Sequence, residues 1–455
     1  MKVVIIGGSH AGIAAALRLK ELDESVEVLI IERANELGYL ASSLNLYLQQ
    51  QITDLLDGQT YTLESLFQRG IHILLNTTVT QIDAIQQTVK CQISGKEQED
   101  SAQVFHYDAL ILAMGSNQTE IPAAWNSDKI LTNYKTYTAS LRANEKFNKA
   151  TTVTIVGAGL IGLELAHALI AVGKKVDLVD QMDELLFRYV DQEIAELVHA
   201  KLPPELTLHL GTRVSEVTMR DENNALSIQL ANQEQFTTDE FVFAVNPRPA
   251  VSLVESFLKL NRDGTIWTNE YLQTSIGTIY AIGDLIALPF KNTDERTYIP
   301  LLSNAVRSGA IAAQNIIFPK SLPLDTVQRT IVSSFFGIHL AACGVTEEEA
   351  PYFGIACQAC TQTFAQSNCL TATDQVEATT IKLVYEPTSQ KILGGQLLTT
   401  NEMSLDFINL LSILVSQETT ISELATMDFY FQPLFSSIKH PLNTLALMIL
   451  SQNKL

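Results

Sequence analysis

The sequence predicts an α/β fold in which one strand–turn–helix unit is used twice, followed by a segment of α+β character. Three observations carry that expectation. Met1 to Gly12 reads MKVVIIGGSHAG, an apolar β-branched run stopped by a glycine pair, after which Ile13, Leu17 and Leu22 recur at helical spacing. Thr152 to Glu164 reads TVTIVGAGLIGLE and restarts the same pattern with a fuller glycine set. From about Leu322 the composition shifts to strand–turn–strand patterns and two helices that carry no nucleotide signature.

Composition bounds the answer before any motif does. A chain of 455 residues is long enough for about three domains. With 46% hydrophobic and 18% charged residues it is globular in composition. A formal net charge of −20 opposes binding to nucleic acid or to an anionic membrane surface. No basic region or cleavage site precedes the first strand, and the longest apolar patch, Leu405 to Val415, is too short to span a bilayer. A cytoplasmic protein is the expectation.

In the first unit, the strand ending at Ile6 leads through a tight turn into a helix running to Leu22. A helix start offers unpaired N–H groups and the positive end of the helix dipole, which suit a pyrophosphate. Gly7, Ser9 and Gly12 form the turn, an imperfect GxSxxG. Val26 to Ile31 is the next strand, and Glu32 follows Gly12 by 20 residues, the usual distance of a carboxylate that accepts ribose hydroxyls. Leu63 to Gln68 reads as a helix, Ile71 to Ile82 as paired strands, and Tyr107 to Gly115 (YDALILAMG) as another central strand.

In the second unit Gly157, Gly159 and Gly162 complete GxGxxG, and strand Lys175 to Val179 ends on Asp180, 18 residues after Gly162. An acidic residue there favours the free 2′-hydroxyl of NAD, and no Arg or His follows within Gln181 to Leu186 to meet a 2′-phosphate. Two such sites imply two dinucleotides. A hydride needs a donor and an acceptor, so a nicotinamide paired with a flavin is the expected combination. Thr278 to Asp284 (TIYAIGD) then places Asp284 at a strand's carboxyl end, facing the ligand crevice of an open sheet, and Pro300 to Asn315 is a small-residue helix. Helices are also expected at Ser404 to Ser416 and Ile421 to Thr426.

Five cysteines, Cys91, Cys343, Cys357, Cys360 and Cys369, do not make a disulfide framework. Cys357 and Cys360 form a CxxC, but in a strand-like stretch with no helix start and no second CxxC, so neither redox chemistry nor a metal site is expected from it.

The order GGSHAG, YDALILAMG, GAGLIGLE, TIYAIGD, NAVRSG and DFYFQP (Asp428 to Pro433) resembles the pyridine nucleotide-disulfide oxidoreductases, most closely the NADH oxidase, NADH peroxidase and coenzyme A-disulfide reductase branch. The resemblance implies two Rossmann-like domains and a C-terminal dimerisation domain. An FAD-binding domain would comprise 1–115 and 246–320, an NADH-binding domain 116–245, and a homodimer-forming domain 321–455. Carried over position by position, Gly7, Ala11, Gly12, Glu32, Arg33, Val79, Ala113, Gly115, Asp284 and Ala305 match FAD contacts. Gly157, Gly159, Ile161, Gly162, Glu164 and Asp180 match NADH contacts.

The departures bear on mechanism. Where the family carries its redox cysteine, in a stretch like SFLSCGIALY, this chain has GYLASSLNLY from Gly38 to Tyr47, with Ser42 at the cysteine position. A serine hydroxyl does not ionise near neutral pH or cycle through sulfenate or disulfide. Leu160 replaces an aromatic that shields the flavin, and Asn246-Pro247 replaces a Gly-containing pair before Arg248. His10, the family's partner to the cysteine, is retained, and the helix dipole favours its neutral form. The resemblance therefore implies an FAD-dependent NADH oxidoreductase passing electrons to oxygen, giving hydrogen peroxide, or to a small acceptor such as a quinone, with His10 and Ser42 on the acceptor side. The alternative is a non-catalytic flavoprotein, a redox sensor or interaction protein on the same scaffold.

Overall fold

Strand β1 (Lys2–Ile6) is apolar after its first residue because strands pair with it on both edges and the surrounding core includes both helix residues and apolar residues of an antiparallel meander, so Val3, Val4 and Ile5 are wholly buried. A computed structural model describes residues 1–94, 102–118, 121–122, 125, 130–131, 134–219, 225–245, 247–366, 377–432 and 436–452. From β1 the chain enters helix α1 (His10–Leu22), returns as β2 (Glu27–Ile31), and after the short helix α2 (Ser43–Leu48) adds β3 (Ile71–Leu74) and β4 (Ala109–Leu112). Residues Ile71 to Ile82 do not form a single pair. Asn76 has a left-handed backbone (φ 51°), which turns the chain out of the parallel sheet. Thr77–Asp83 then opens a separate antiparallel meander with Thr88–Ile93 and Ala102–His106.

The second unit repeats this plan. Its strands and crossover helices include β5 (Ile130–Leu131), β6 (Thr152–Val156), α3 (Leu160–Ala171), β7 (Lys175–Val179), α4 (Gln192–His199), β8 (Leu206–His209) and β9 (Glu240–Phe243), with a further helix over Tyr137–Lys149 between β5 and β6. The five strands pair in parallel in the order β8-β7-β6-β9-β5. The antiparallel meander of Val214–Met219, Leu226–Leu230 and Gln235–Thr238 packs over Ile130, Val179 and Phe241. The chain then returns to the first sheet with β10 (Ile279–Ala281), giving β3-β2-β1-β4-β10, and with α5 (Leu302–Ile317), whose Gly309 lies against the backbone of Ala11 and Ala15 on α1.

The C-terminal unit is an antiparallel sheet of β11 (Ile331–Phe335), β12 (Ile338–Gly344), β13 (Gln358–Gln366), β14 (Glu377–Tyr385) and β15 (Ile392–Thr399), ordered β11-β12-β15-β14-β13. Helices α6 (Phe407–Ser416) and α7 (Pro441–Gln452) cover it, burying Leu411 and Leu445 against Ile381 and Leu397. The helix expected from Ser404 begins as a 3₁₀ turn, Glu402–Asp406, because Asn401 accepts the Met403 N–H and starts the chain in a tighter winding. Cys360 lies buried in β13 with Cys357 just before it, and burial pushes the Cys343 thiol up to about 12 and the Cys91 thiol up to about 11. Cys369, Asn246 and Pro433 lie outside the described residues.

One buried ion cluster ties the second unit to the C-terminal sheet. Lys382 of β14, 3% exposed, places its ammonium 3.0 Å from Asp191, the residue that begins α4, and 2.7 Å from both Glu193 and Glu347. Asp191 also accepts the Glu348 N–H at 3.0 Å and the Gln396 side-chain amide at 2.5 Å. Burial opposes the ammonium charge, but the hydrogen bonds to Glu193, Glu347 and Asp191 outweigh it and hold the Lys382 pKa above its ordinary value. Among the described residues no helix is long and apolar enough to cross a membrane, and no group of three or more His, Cys, Asp or Glu is placed to hold a metal.

Candidate functional site: two nucleotide turns and a shared cavity

The turn after β1 and the turn after β6 are built by the same contacts. Gly7 donates to the Ile31 carbonyl at 2.9 Å with φ +111°, and Gly157 donates to the Val179 carbonyl at 2.8 Å with φ +114°. Both conformations exclude a side chain, and a Cβ on Gly157 would also stand 2.6 Å from the Ala244 carbonyl. A Cβ on Gly12 or Gly162 would overlap the carbonyl of Gly7 or Gly157, so these glycines let each helix start close on its strand. Glu32 accepts the N–H of Gly8 (2.6 Å) and Ala34 (2.8 Å), and Asp180 accepts those of Ala158 (2.7 Å) and Met182 (2.9 Å). The middle position differs for a reason of geometry. Ser9 (φ −91°) and Gly159 (φ −82°) are both extended, and a Cβ on Gly159 meets nothing within 4 Å. The fold does not need glycine there, which explains how GxSxxG builds the same turn.

Above the first turn lies a cavity of about 690 Å³, within the range of cofactor sites. Gly7, His10 and Ala11 reach it from the turn and α1, Glu32 and Arg33 from the end of β2, and Val79 from the meander. Ala113 and Gly115 follow β4, Asp284 follows β10, and Ala305 comes from α5. Ile161, expected at the nicotinamide side, is the contribution of α3 to this same wall, so the second unit reaches the cavity above the first turn. Gly12, Gly157, Gly159, Gly162 and Asp180 are not in the wall: Gly12 packs beneath it and the others form the second turn. Ser42 is also outside the wall. It is exposed at the start of α2, while its neighbour Ala41 lines the cavity.

The charges around the cavity are arranged by burial. His10 is held below its ordinary pKa by burial, against a hydrogen bond with the Tyr39 backbone, and its Nε2 is buried without a protein partner. The neutral imidazole expected from the helix dipole thus has desolvation as its main cause. Ser116 Oγ donates to Asp284 at 2.8 Å and receives the Lys135 ammonium at 3.1 Å. Burial lowers the Lys135 pKa and Asp284 opposes that shift, while burial raises Tyr298. Ser116 and Lys135 also line the cavity, and no motif points to either. Glu164 sits one turn along α3 from Ile161, where burial raises its pKa and Ser333 Oγ of β11 donates to it at 2.6 Å. The glycine cradles, the acidic residues at both strand ends and the bare His10 nitrogen in the wall fit dinucleotides.

A doubled dinucleotide-binding α/β fold with a cavity shared between its halves defines a two-cofactor oxidoreductase. Residues 1–309 match the family described as pyridine nucleotide-disulphide oxidoreductase, and residues 331–441 match its dimerisation domain. The chain belongs to that family. An NADH oxidase of Enterococcus faecalis is 30% identical over 98% of both chains. The water-forming NADH oxidase of Lactobacillus brevis, solved bound to NADH, superposes with a TM-score of 0.92 at 26% identity, covering 100% of this chain and 99% of that one. An NAD-dependent persulfide reductase from A. fulgidus has a TM-score of 0.92 at 25% identity, covering 100% of this chain and 84% of that one. The protein is an NAD(P)H-dependent FAD oxidoreductase.

Proposed function

We propose that this protein oxidises NADH with oxygen and releases hydrogen peroxide, without a cysteine redox centre; a small acceptor such as a quinone can take the place of oxygen. FAD, if held by the first glycine turn and Glu32, would supply the two-electron chemistry, and the overall reaction would convert NADH, a proton and oxygen into NAD⁺ and hydrogen peroxide. The observation that carries the reading is the cavity wall, which holds no cysteine among the described residues and presents Ala41 beside Ser42. Residues 1–115 and 246–320 would hold FAD, with Glu32 at its ribose and Asp284 at its chain. Residues 116–245 would hold NADH, with Asp180 at its ribose and Glu164 near the nicotinamide. His10, neutral and with Nε2 bare, would orient the acceptor by accepting or donating one hydrogen bond. Residues 321–455 would form a homodimer, a reading supported by Ile413 and Leu447, exposed on the covering helices of the C-terminal sheet.

Mixing the flavin-loaded protein anaerobically with NADH tests the first half-reaction, and lack of bleaching at millimolar NADH would refute it. Admitting oxygen tests the second. Peroxide equal to the NADH consumed is expected, and water without peroxide would show that a thiol-type route operates.

A further inference from the structure

We infer that Ser333, in the first strand of the C-terminal sheet, is a positioning residue for nicotinamide binding, acting through Glu164 on helix α3. The Ser333 hydroxyl is buried and donates to Glu164 Oε1 at 2.6 Å, joining residues 169 apart in the chain. Glu164 lies three residues after Ile161, on the same face of α3, and Ile161 lines the flavin cavity. The carboxyl therefore stands one turn behind the point where the second unit reaches the cavity. Its orientation is set from the C-terminal unit.

The surroundings leave Ser333 a decisive partner. Tyr134 precedes cavity-lining Lys135, and Tyr134 and Tyr189 both feel the Glu164 charge. Tyr47 of α2 packs on the same core, Arg329 and Arg188 lie near Tyr189, and His167 is one turn further along α3, where its Nδ1 accepts the Phe336 N–H at 3.4 Å. Burial raises the Glu164 pKa and the Ser333 hydrogen bond opposes that rise. A carboxylate held in this way can accept a hydrogen bond from an amide donor such as the nicotinamide carboxamide; a protonated one loses that capacity. Because the raised pKa brings protonation toward neutrality, NAD⁺ affinity falls as the pH drops through the Glu164 pKa. Removing the Ser333 hydroxyl moves that fall to higher pH.

The inference rests on the NADH reading of the second turn, and the test separates the two. NAD⁺ binding to the flavin-loaded protein is measured by calorimetry from pH 5 to pH 8 for wild type, Ser333→Ala, Glu164→Gln and the double variant, with thermal melting as a check on folding. Loss of one hydrogen bond to a charged group shifts the acid limb of the Ser333→Ala profile upward by about one pH unit. Glu164→Gln abolishes the limb, and adding Ser333→Ala to it changes the profile no further. A Ser333→Ala profile that superimposes on wild type overturns the inference alone, as does a shift that persists in the Glu164→Gln background. Absence of NAD⁺ binding by wild type at every pH overturns it together with the NADH reading.

Discussion

Replacing Gly309 with alanine sets helix propensity directly against packing. Gly309 lies in the middle of α5, where alanine is intrinsically favoured by about 1 kcal/mol. A Cβ there would stand 3.1 Å from the Ala15 nitrogen and about 1 Å inside van der Waals contact with the Ala11 carbonyl. Both partners are helix backbone, so a rotamer change cannot relieve the overlap, and α5 must move off α1. Overpacking of this kind costs about 1–3 kcal/mol, which outweighs the propensity gain at the upper end of that range and cancels it at the lower. The displacement matters more for ligand than for fold. Ala11 and Ala305 both line the cavity, and a Cβ on Gly283 would sit 3.2 Å from the Ala11 side chain and 3.6 Å from that of Ala305. Gly309→Ala should therefore purify with less FAD than wild type and melt at a lower temperature, with added FAD restoring much of the difference by mass action. Flavin content is read from absorbance and melting by calorimetry. Full flavin occupancy with an unchanged or higher melting temperature would show that the α1–α5 contact yields freely, and would refute the reasoning.

Lys382→Met should destabilise the protein by about 3–5 kcal/mol, since it leaves the buried Asp191 carboxylate without its cation; denaturant unfolding measures this, and a change near zero would mean that the cluster is dispensable. Asp180→Ala combined with Gln181→Arg should raise the NADPH-to-NADH ratio of kcat/KM on the order of tenfold by replacing a repelling carboxylate with a cation; an unchanged ratio would move the ribose site elsewhere. Ser42→Cys should add a thiol that alkylates well before buried Cys91 and Cys343, whose raised pKa values keep them protonated, with mass spectrometry locating the label. Burial holds His440, stacked on Phe429 at 3.9 Å, down to about 4. A lowered histidine pKa leaves stability intact above the ordinary value of 6.5 and removes it progressively as the pH falls from there toward 4. The melting temperature of His440→Phe should accordingly decline less than that of wild type across this window, and parallel declines would contradict the assignment.

The parts of the molecule that the sequence makes legible are those with a local steric cause. Gly7 and Gly157 have backbone angles that exclude a side chain, and Glu32 and Asp180 recur at a distance set by one strand–helix–strand passage. The same reasoning identifies Ser9 as a defect in the motif, whereas its extended backbone makes it no defect in the fold. The break at Asn76 was hidden because alternation continues through it while the chain changes sheets. Ile161 carries helical spacing only, and nothing local reveals that it crosses into the other unit's cavity. Lys135, Ser116 and Ser333 acquire their roles from partners far away in the chain, as in the Ser116–Asp284 bond across 168 residues. Such pairings leave no period or motif.

The ion cluster at Lys382 has a consequence for how the molecule answers its solvent. Ions in solution screen exposed pairs over roughly 8–10 Å, so they reach the outer carboxylates of the cluster, Glu193 and Glu347, 47% and 45% exposed, but hardly the Lys382–Asp191 pair, 3% and 1% exposed. In a chain of net charge −20, added salt relaxes the mutual repulsion of the surface and weakens the outer pairs, while the buried Lys382–Asp191 contact is screened least. The contact between the second unit and the C-terminal sheet thus keeps one pair, Lys382–Asp191, that ionic strength hardly reaches. Salt therefore acts on the outer pairs of this junction as well as on the charges around the nucleotide turns, and the Lys382–Asp191 pair is what remains to hold the two units when it does.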